Sequence, residues 1–143
     1  MILLDTNVLS AVMRSKPDRA VVDWLDSLPA DSIWLTAITV FEARFGLALL
    51  PGGKRRHDLE ARFEALLSVD LNNRVLPFDP PAAAMAAELA ARRQRAGKPV
   101  DVRDTFIAGI ALAHNADIAT RNTRHFADLT VAVIDPWRFG ADA

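Results

Sequence analysis

Two rhythms alternate along the chain: short apolar runs that end in polar residues, and longer stretches in which apolar residues return every three or four positions. Ile2-Leu3-Leu4 is too brief for a helix and closes on Asp5-Thr6-Asn7, so it reads as a buried strand running into a polar turn, with Asp5 at its carboxyl end. Pro17 can open a helix whose Val21, Val22, Leu25 and Leu28 share a face, and Pro29 stops it. Ile33-Trp34-Leu35-Thr36 is the second strand. Thr36 or Thr39 then begins a helix through Val40, Phe41, Phe45, Leu47, Leu49 and Leu50, broken by Pro51-Gly52-Gly53.

Lys54-Arg55-Arg56-His57 opens the next helical stretch, which buries Leu59, Phe63, Leu66 and Leu67. Val75-Leu76-Pro77-Phe78 is the third strand. Asp79-Pro80 supplies the cap and first-turn proline of an alanine-rich helix, read as core and oligomer packing, that runs to Gly97 with Pro99 barring continuation. Asp101 starts a helix through Ile107, Ile110 and Leu112 to about His114. Two more short strands, Asp117 to Thr120 and Val131 to Ile134, flank a polar stretch beginning Arg121-Asn122-Thr123. Strands alternating with helices predict an α/β fold whose mainly parallel sheet is covered on both faces.

Composition narrows this picture. With 143 residues, 51% of them hydrophobic, the chain can bury one good core but is short for two ordinary domains, so residues 1–143 read as a single domain. A net charge of −1 offers no overall basic field, and a polyanion would have to be gripped locally or through a cation. The absence of cysteine removes disulfides, thiolate metal sites and a cysteine nucleophile. The N-terminus meets Asp5 straight after Ile2, Leu3 and Leu4, which fits neither a signal peptide nor a membrane span; a cytoplasmic protein with no membrane partner is expected.

In open α/β sheets ligands bind beyond the carboxyl ends of the strands, and several polar residues fall there. Asp5 ends strand one, Glu42 lies in the first turns after strand two, Asn122 follows strand four, and Asp104 occupies the first turn of the helix before that strand. Three carboxylates at one spot, roughly 5 Å apart in an effective dielectric of about 20, repel by about 3 kcal/mol per pair. Such a cluster needs a cation, and oxygen-only ligands select a hard ion such as Mg²⁺ or Mn²⁺ over zinc. That ion suits phosphodiester hydrolysis, because it can lower the pKa of a water and neutralise charge growing on phosphate oxygens.

Each residue also has a plainer reading. Asp5 can satisfy a turn. Thr39-Val40-Phe41-Glu42 fits a capping box in which Glu42 bonds backbone. Asp104 can favour the positive end of its helix, with Asp101 as the cap. Arg121-Asn122-Thr123 can be a plain loop, while Thr120 can fix a ligand or water through its hydroxyl. Lys54 to His57 reads as a solvated helix face or a contact for RNA or protein. Arg121 and Arg124, nearer the acids, can hold phosphate.

Taken in order, MILLDTNVL (Met1 to Leu9), TAITVFEARFG (Thr36 to Gly46), DTFIAGIALA (Asp104 to Ala113) and ATRNTRHF (Ala119 to Phe126) resemble the PIN-domain ribonucleases of the VapC toxin group, most closely the FitB-like branch. LPGGKRR, RVLPFD and DPW extend the similarity over nearly the whole chain. The resemblance implies a three-layer α/β/α fold, Mg²⁺- or Mn²⁺-dependent endonuclease activity on RNA, and a homodimer or dimer of dimers. It also implies a VapB-like antitoxin, a small DNA-binding protein whose C-terminal segment blocks the site. By motif position Asp5, Glu42 and Asp104 match the three leading acids, and Thr6 the small hydroxyl residue beside the first.

Asn122 stands where the family commonly has a fourth acid, which removes one negative charge and favours one-metal chemistry; Asp101 or Asp117 could compensate. Two functions therefore compete: a metal-dependent endoribonuclease using Asp5, Glu42, Asp104 and Asn122, or a PIN-like domain that binds RNA or antitoxin without cutting. A metal-independent ribonuclease would need two histidines together, and His57, His114 and His125 show no evident reason to meet. Asp5-Thr6-Asn7 lacks the second acid of an aspartyl phosphatase, and no GxGxxG or GxxxxGK[ST] stretch marks a nucleotide site.

Overall fold

A computed structural model describes residues 1–141. Strands β1 (Ile2–Leu4), β2 (Ile33–Thr36), β3 (Val75–Leu76), β4 (Asp117–Ala119) and β5 (Val133–Ile134) form one sheet in the order β3-β2-β1-β4-β5. Every pairing is parallel. Helices α1 (Thr6–Met13), α2 (Arg19–Asp26), α3 (Ala37–Ala48), α4 (Lys54–Ala65), α5 (Pro80–Arg95) and α6 (Val102–His114) make the crossovers.

Alternation along each strand divides the core between two faces. Leu3, Trp34, Leu76, Ile118 and Val133 pack with Leu89 of α5 and with Ile107 and Ile110 of α6. Leu4, Ile33, Leu35, Ala119 and Ile134 pack with Val8, Leu9, Val21, Trp24 and Phe63 from α1, α2 and α4. The expected three layers are present. From β1 the chain steps outward to β2 and β3, then returns to lay β4 on the other side of β1. The crevice beyond the carboxyl ends of β1 and β4 is therefore the topological switch point, where such sheets bind ligands.

Helix starts follow the acids and hydroxyls of the sequence. Asp5, Asp18, Thr36, Asp79 and Asp101 each accept a backbone N–H at the start of α1, α2, α3, α5 and α6. Several boundaries differ from the sequence expectation. No polar turn follows β1: Asp5 caps α1 at once, and Val8, Leu9 and Ala11 are buried. Eight residues are too few for a helical rhythm to stand out beside the preceding strand. The second helix starts at Arg19 behind the Asp18 cap, two residues past Pro17.

β3 ends at Leu76 because Pro77 has no N–H to extend the ladder. β4 stops at Ala119, one residue early, and β5 starts at Val133, two residues late. The wide turn Leu66–Asp70 is π-helical and leads to Asn72 and Asn73 at positive φ, a backbone course without an apolar period to announce it. Among the described residues no helix is long and apolar enough to cross a membrane.

The tightest approach joins α5 to α6. A Cβ on Gly109 would lie 2.6 Å from the Ala82 carbonyl oxygen and 2.7 Å from the Ala86 Cβ. Gly109→Ala is expected to destabilise the protein by about 1–2 kcal/mol, overpacking strain outweighing the roughly 1 kcal/mol that alanine gains in a helix. Urea denaturation measures this; an unchanged midpoint would mean the helices separate freely.

Candidate carboxylate site

The chain leaves β1 through Asp5, which caps α1. Its side chain is only 5% exposed. Oδ1 accepts from the Thr6 amide at 2.8 Å and Oδ2 from the Thr120 hydroxyl at 2.8 Å, with the Asn7 side-chain amide at 3.5 Å. Thr120 follows β4, the strand beside β1, so the register itself brings the two residues together. Its hydroxyl also accepts from Asn7 Nδ2 at 3.3 Å and from the Asn122 amide at 3.0 Å. The Arg121 amide donates to Asn7 Oδ1 at 3.2 Å, which fastens the turn after β4 to the first turn of α1.

Glu42 and Asp104 enter from the two neighbouring helices. Glu42 accepts from the Thr6 hydroxyl at 3.1 Å and lies 3.5 Å from the Arg103 guanidinium of α6. The capping-box reading of Glu42 is therefore displaced: the cap of α3 is Thr36 and not Thr39, the Thr36 hydroxyl accepts from the Thr39 amide at 3.1 Å, and the Glu42 carboxylate takes the Thr6 hydroxyl. Asp104 has its backbone N–H capped by Asp101 at 2.9 Å, while its Oδ2 meets His125 Nδ1 at 2.6 Å.

The three acids share one electrostatic field. Burial pushes the Asp5 carboxyl above its ordinary value against the bonds from Thr120 and Thr6, and the charge of Asp104 pushes in the same direction as burial. Glu42 is raised first by burial, relieved by the Thr6 hydroxyl and Arg103, and raised again by Asp5 and Asp104. Among the described residues no group of three His, Cys, Asp or Glu side chains is disposed to hold one ion as it stands; each acid bonds a protein donor. The donor chemistry nevertheless suits a hard divalent cation: carboxylates, threonine hydroxyls and an amide, all oxygen, with no sulfur.

Asp5, Thr6, Glu42 and Thr120 thus form one bonded network, with Asp104 coupled to it by charge. Asn122 is exposed and is joined through its backbone amide. Arg121 lays its guanidinium over the Trp137 ring, 4.9 Å from the centroid, and Arg124 is exposed on the short turn Thr123–Phe126. Asp117 opens β4 at its amino end and accepts from the Ala132 amide, so it cannot stand in for a fourth acid at the carboxyl end. Asp101 serves as the cap of α6.

Sequence reasoning missed Asn7, Arg103 and His125. Asn7, two residues after Asp5, carried a local signal as an acid-turn partner. Arg103 and His125 carried none, since each meets its acid only through tertiary packing. Beside Thr6 and Glu42 opens a cleft of about 1100 Å³ with apolar Leu9, Met13 and Leu47 and basic Arg14, Lys54 and Arg55. Arg56, by contrast, pairs with Glu60 at 2.6 Å on the helix face.

A PIN-domain family model matches residues 2–131. The chain belongs to the PIN-domain family. Over 137 residues this PIN domain is 44% identical to VapC ribonuclease Y4jK of Sinorhizobium fredii, covering 96% of the chain and 98% of that protein. It is also 44% identical to toxin FitB of Neisseria gonorrhoeae, over 96% of the chain and 99% of that toxin. Its fold resembles the crystal structure of FitAcB from Neisseria gonorrhoeae with a TM-score of 0.88 at 44% identity, covering 96% of this chain and 99% of that one. DNA-bound VapBC from Salmonella typhimurium gives a TM-score of 0.79 at 26% identity, over 94% and 97% of the two chains. These likenesses put this PIN domain with the VapC and FitB group.

Proposed function

We propose that the chain, one PIN domain over residues 1–143, is a metal-dependent endoribonuclease and the toxin of a type II toxin-antitoxin pair. The observation that carries this reading is the mutual field of Asp5, Glu42 and Asp104 at the switch point of the sheet. The names of its relatives, a VapC ribonuclease and a toxin, agree with it. Asp5, Glu42 and Asp104 would hold one Mg²⁺ or Mn²⁺, with Asn122 assisting. When bound, the ion supplies Lewis acidity, lowering the pKa of a water and offsetting charge on the scissile phosphate.

The protein's own groups do the positioning. The Thr6 amide and the Thr120 hydroxyl fix both oxygens of Asp5 before any ligand arrives. The Thr6 hydroxyl and Arg103 aim Glu42 inward from α3. Arg121 and Arg124, on the turn beyond β4, would meet RNA phosphates beside the acids, Arg121 by leaving the Trp137 ring. The apolar cleft next to Glu42, with its basic residues, suits an amphipathic, acid-bearing segment of a VapB-like antitoxin. The exposed stripe of Phe41 and Phe45 on α3 with Leu49 at its C-cap supports homo-oligomerisation.

Function is tested by offering the purified protein a structured RNA pool with Mg²⁺, Mn²⁺ or EDTA. Cleavage with either metal and none with EDTA is expected; chelator-resistant cleavage would contradict the reading, and antitoxin binding without cleavage would favour a binding-only domain. Asn122→Asp adds a carboxylate at the same turn and is expected to tighten Mn²⁺ binding by about tenfold or more. Unchanged affinity in a calorimetric titration would remove Asn122 from the ion's surroundings.

A further inference from the structure

Arg93 is the only buried basic side chain among the described residues, 6% exposed at the end of α5. Four of the five N–H donors of its fork have partners. Nε and Nη2 grip the two oxygens of Asp128 at 2.9 and 2.8 Å; Nη2 also donates to the His125 carbonyl at 2.8 Å, and Nη1 lies 3.5 Å from the Thr105 hydroxyl. Thr105 in turn donates to the Asp101 carbonyl at 2.6 Å, and the Asp101 side chain caps the Asp104 amide. One guanidinium therefore touches both walls of a corner: the loop after β4, and the first turn of α6 that carries Asp104. Across that corner the ring of His125 meets the Asp104 carboxylate at 2.6 Å.

Burying a guanidinium costs several kcal/mol before pairing recovers it, and an apolar side chain of similar length would pack α5 on α6 without that cost. An apolar side chain could not hold a backbone carbonyl and a carboxylate of a loop that has only a short 3-10 turn to order it. The fork is suited to that task because its donors are rigid and planar.

We propose that Arg93 is a positioning residue of the carboxylate site: by gripping Asp128, the His125 carbonyl and Thr105 together, it locks the loop after β4 against α6 and so fixes where His125 meets Asp104. The inference rests on the reading of Asp104 as part of a metal site only for its functional consequence; the clamp itself is a property of the metal-free fold. The Asp128 bond first, and then the charges of Asp128 and Asp104, hold Arg93 protonated against the opposing effect of its burial.

The test uses the full chain and the paired variant Arg93→Met/Asp128→Leu, which removes both charges together and avoids leaving one buried alone. In metal-free protein, the expected result is a melting temperature near wild type, a His125 Nδ1 resonance moved to that of a free imidazole, and faster amide exchange confined to residues 122–128. An unmoved His125 resonance with unchanged exchange would overturn the proposal. If the paired variant does not fold, Arg93→Lys keeps the charge but loses the fork, and the same resonance decides in the same way. Mn²⁺ affinity of the paired variant should fall about tenfold, as it does when outer partners of metal ligands are removed. Asp5→Asn should instead lose Mn²⁺ binding with amide exchange of residues 122–128 unchanged, and a wild-type protein that binds no Mn²⁺ would sink the metal reading while the His125 resonance of the paired variant still decides the clamp.

Discussion

On the proposed reading, Asp5→Asn is expected to reduce metal-dependent RNA cleavage by at least about a thousandfold, since the Lewis acidity that Asp5 would help to hold would lower the barrier by several kcal/mol. The same substitution should leave the metal-free protein equally or more stable. The two effects have one cause. Asp5 is buried beside Asp104, and its carboxyl is raised above the ordinary value by that burial. Ionising it therefore costs more in the folded than in the unfolded chain. A raised carboxyl is a liability that is absent at pH below the unfolded value, grows as pH rises through the folded one, and is complete above it.

Asparagine carries no such liability. The stability gain of Asp5→Asn should consequently be largest at neutral pH and vanish as pH falls through the raised Asp5 value toward the ordinary carboxylate range. Glu42 adds a liability of the same sign. Asp128 runs the other way, because the Arg93 bonds hold its carboxyl below the usual range and its contribution is lost only as pH falls further. Denaturant titrations of wild type and variant at several pH values check this. Retained cleavage together with lowered stability would remove Asp5 from the site.

Thr120→Val should be the most damaging single change to the network that supports Asp5. Valine keeps the shape but removes the donor at 2.8 Å from Asp5 and the acceptor of both the Asn7 side chain and the Asn122 amide. A buried carboxylate left without its partner costs about 3 kcal/mol. The sign with pH again follows from the carboxyl: losing the Thr120 bond raises Asp5 further, so the deficit is full at neutral pH and shrinks as Asp5 takes up a proton. Thr120→Ser restores the hydroxyl and should recover most of the loss. A deficit equal at neutral and acid pH would mean that the lost stability comes from packing.

The parts of the site that share a strand with the sequence signal were legible. Asp5 follows an apolar run and Thr120 follows another, and parallel pairing of β1 with β4 places their ends side by side. Caps were legible for the same local reason, as at Asp79-Pro80 and Asp101. Glu42 was ambiguous because Thr39 and Glu42 have capping-box spacing; only the start of α3 behind Thr36 shows the carboxylate to be free for Thr6. Helix α1 was hidden behind its own cap, since an eight-residue element gives two turns of periodicity at most.

What stayed illegible was contact made at a distance by residues with ordinary surface chemistry. Arg103 and His125 look like solvated side chains in the sequence, yet each meets an acid across the crevice. Arg93 sits in a run of arginines at a helix end, where a charge run reads as an exposed face. Its burial depends on where Asp128 returns, and nothing in the spacing of the two residues announces that.

The central claim is that Asp5 and Asp104 serve one ion, and a double-mutant cycle tests it most directly. Mn²⁺ affinity and RNA cleavage would be measured for wild type, Asp5→Asn, Asp104→Asn and the double variant. If both acids hold the same ion, either single change already removes nearly all binding and cleavage, and the double variant is no worse than the poorer single one. Losses that multiply, each single variant keeping a measurable share of activity and the double variant losing the product, would show that the acids act separately and would contradict the account.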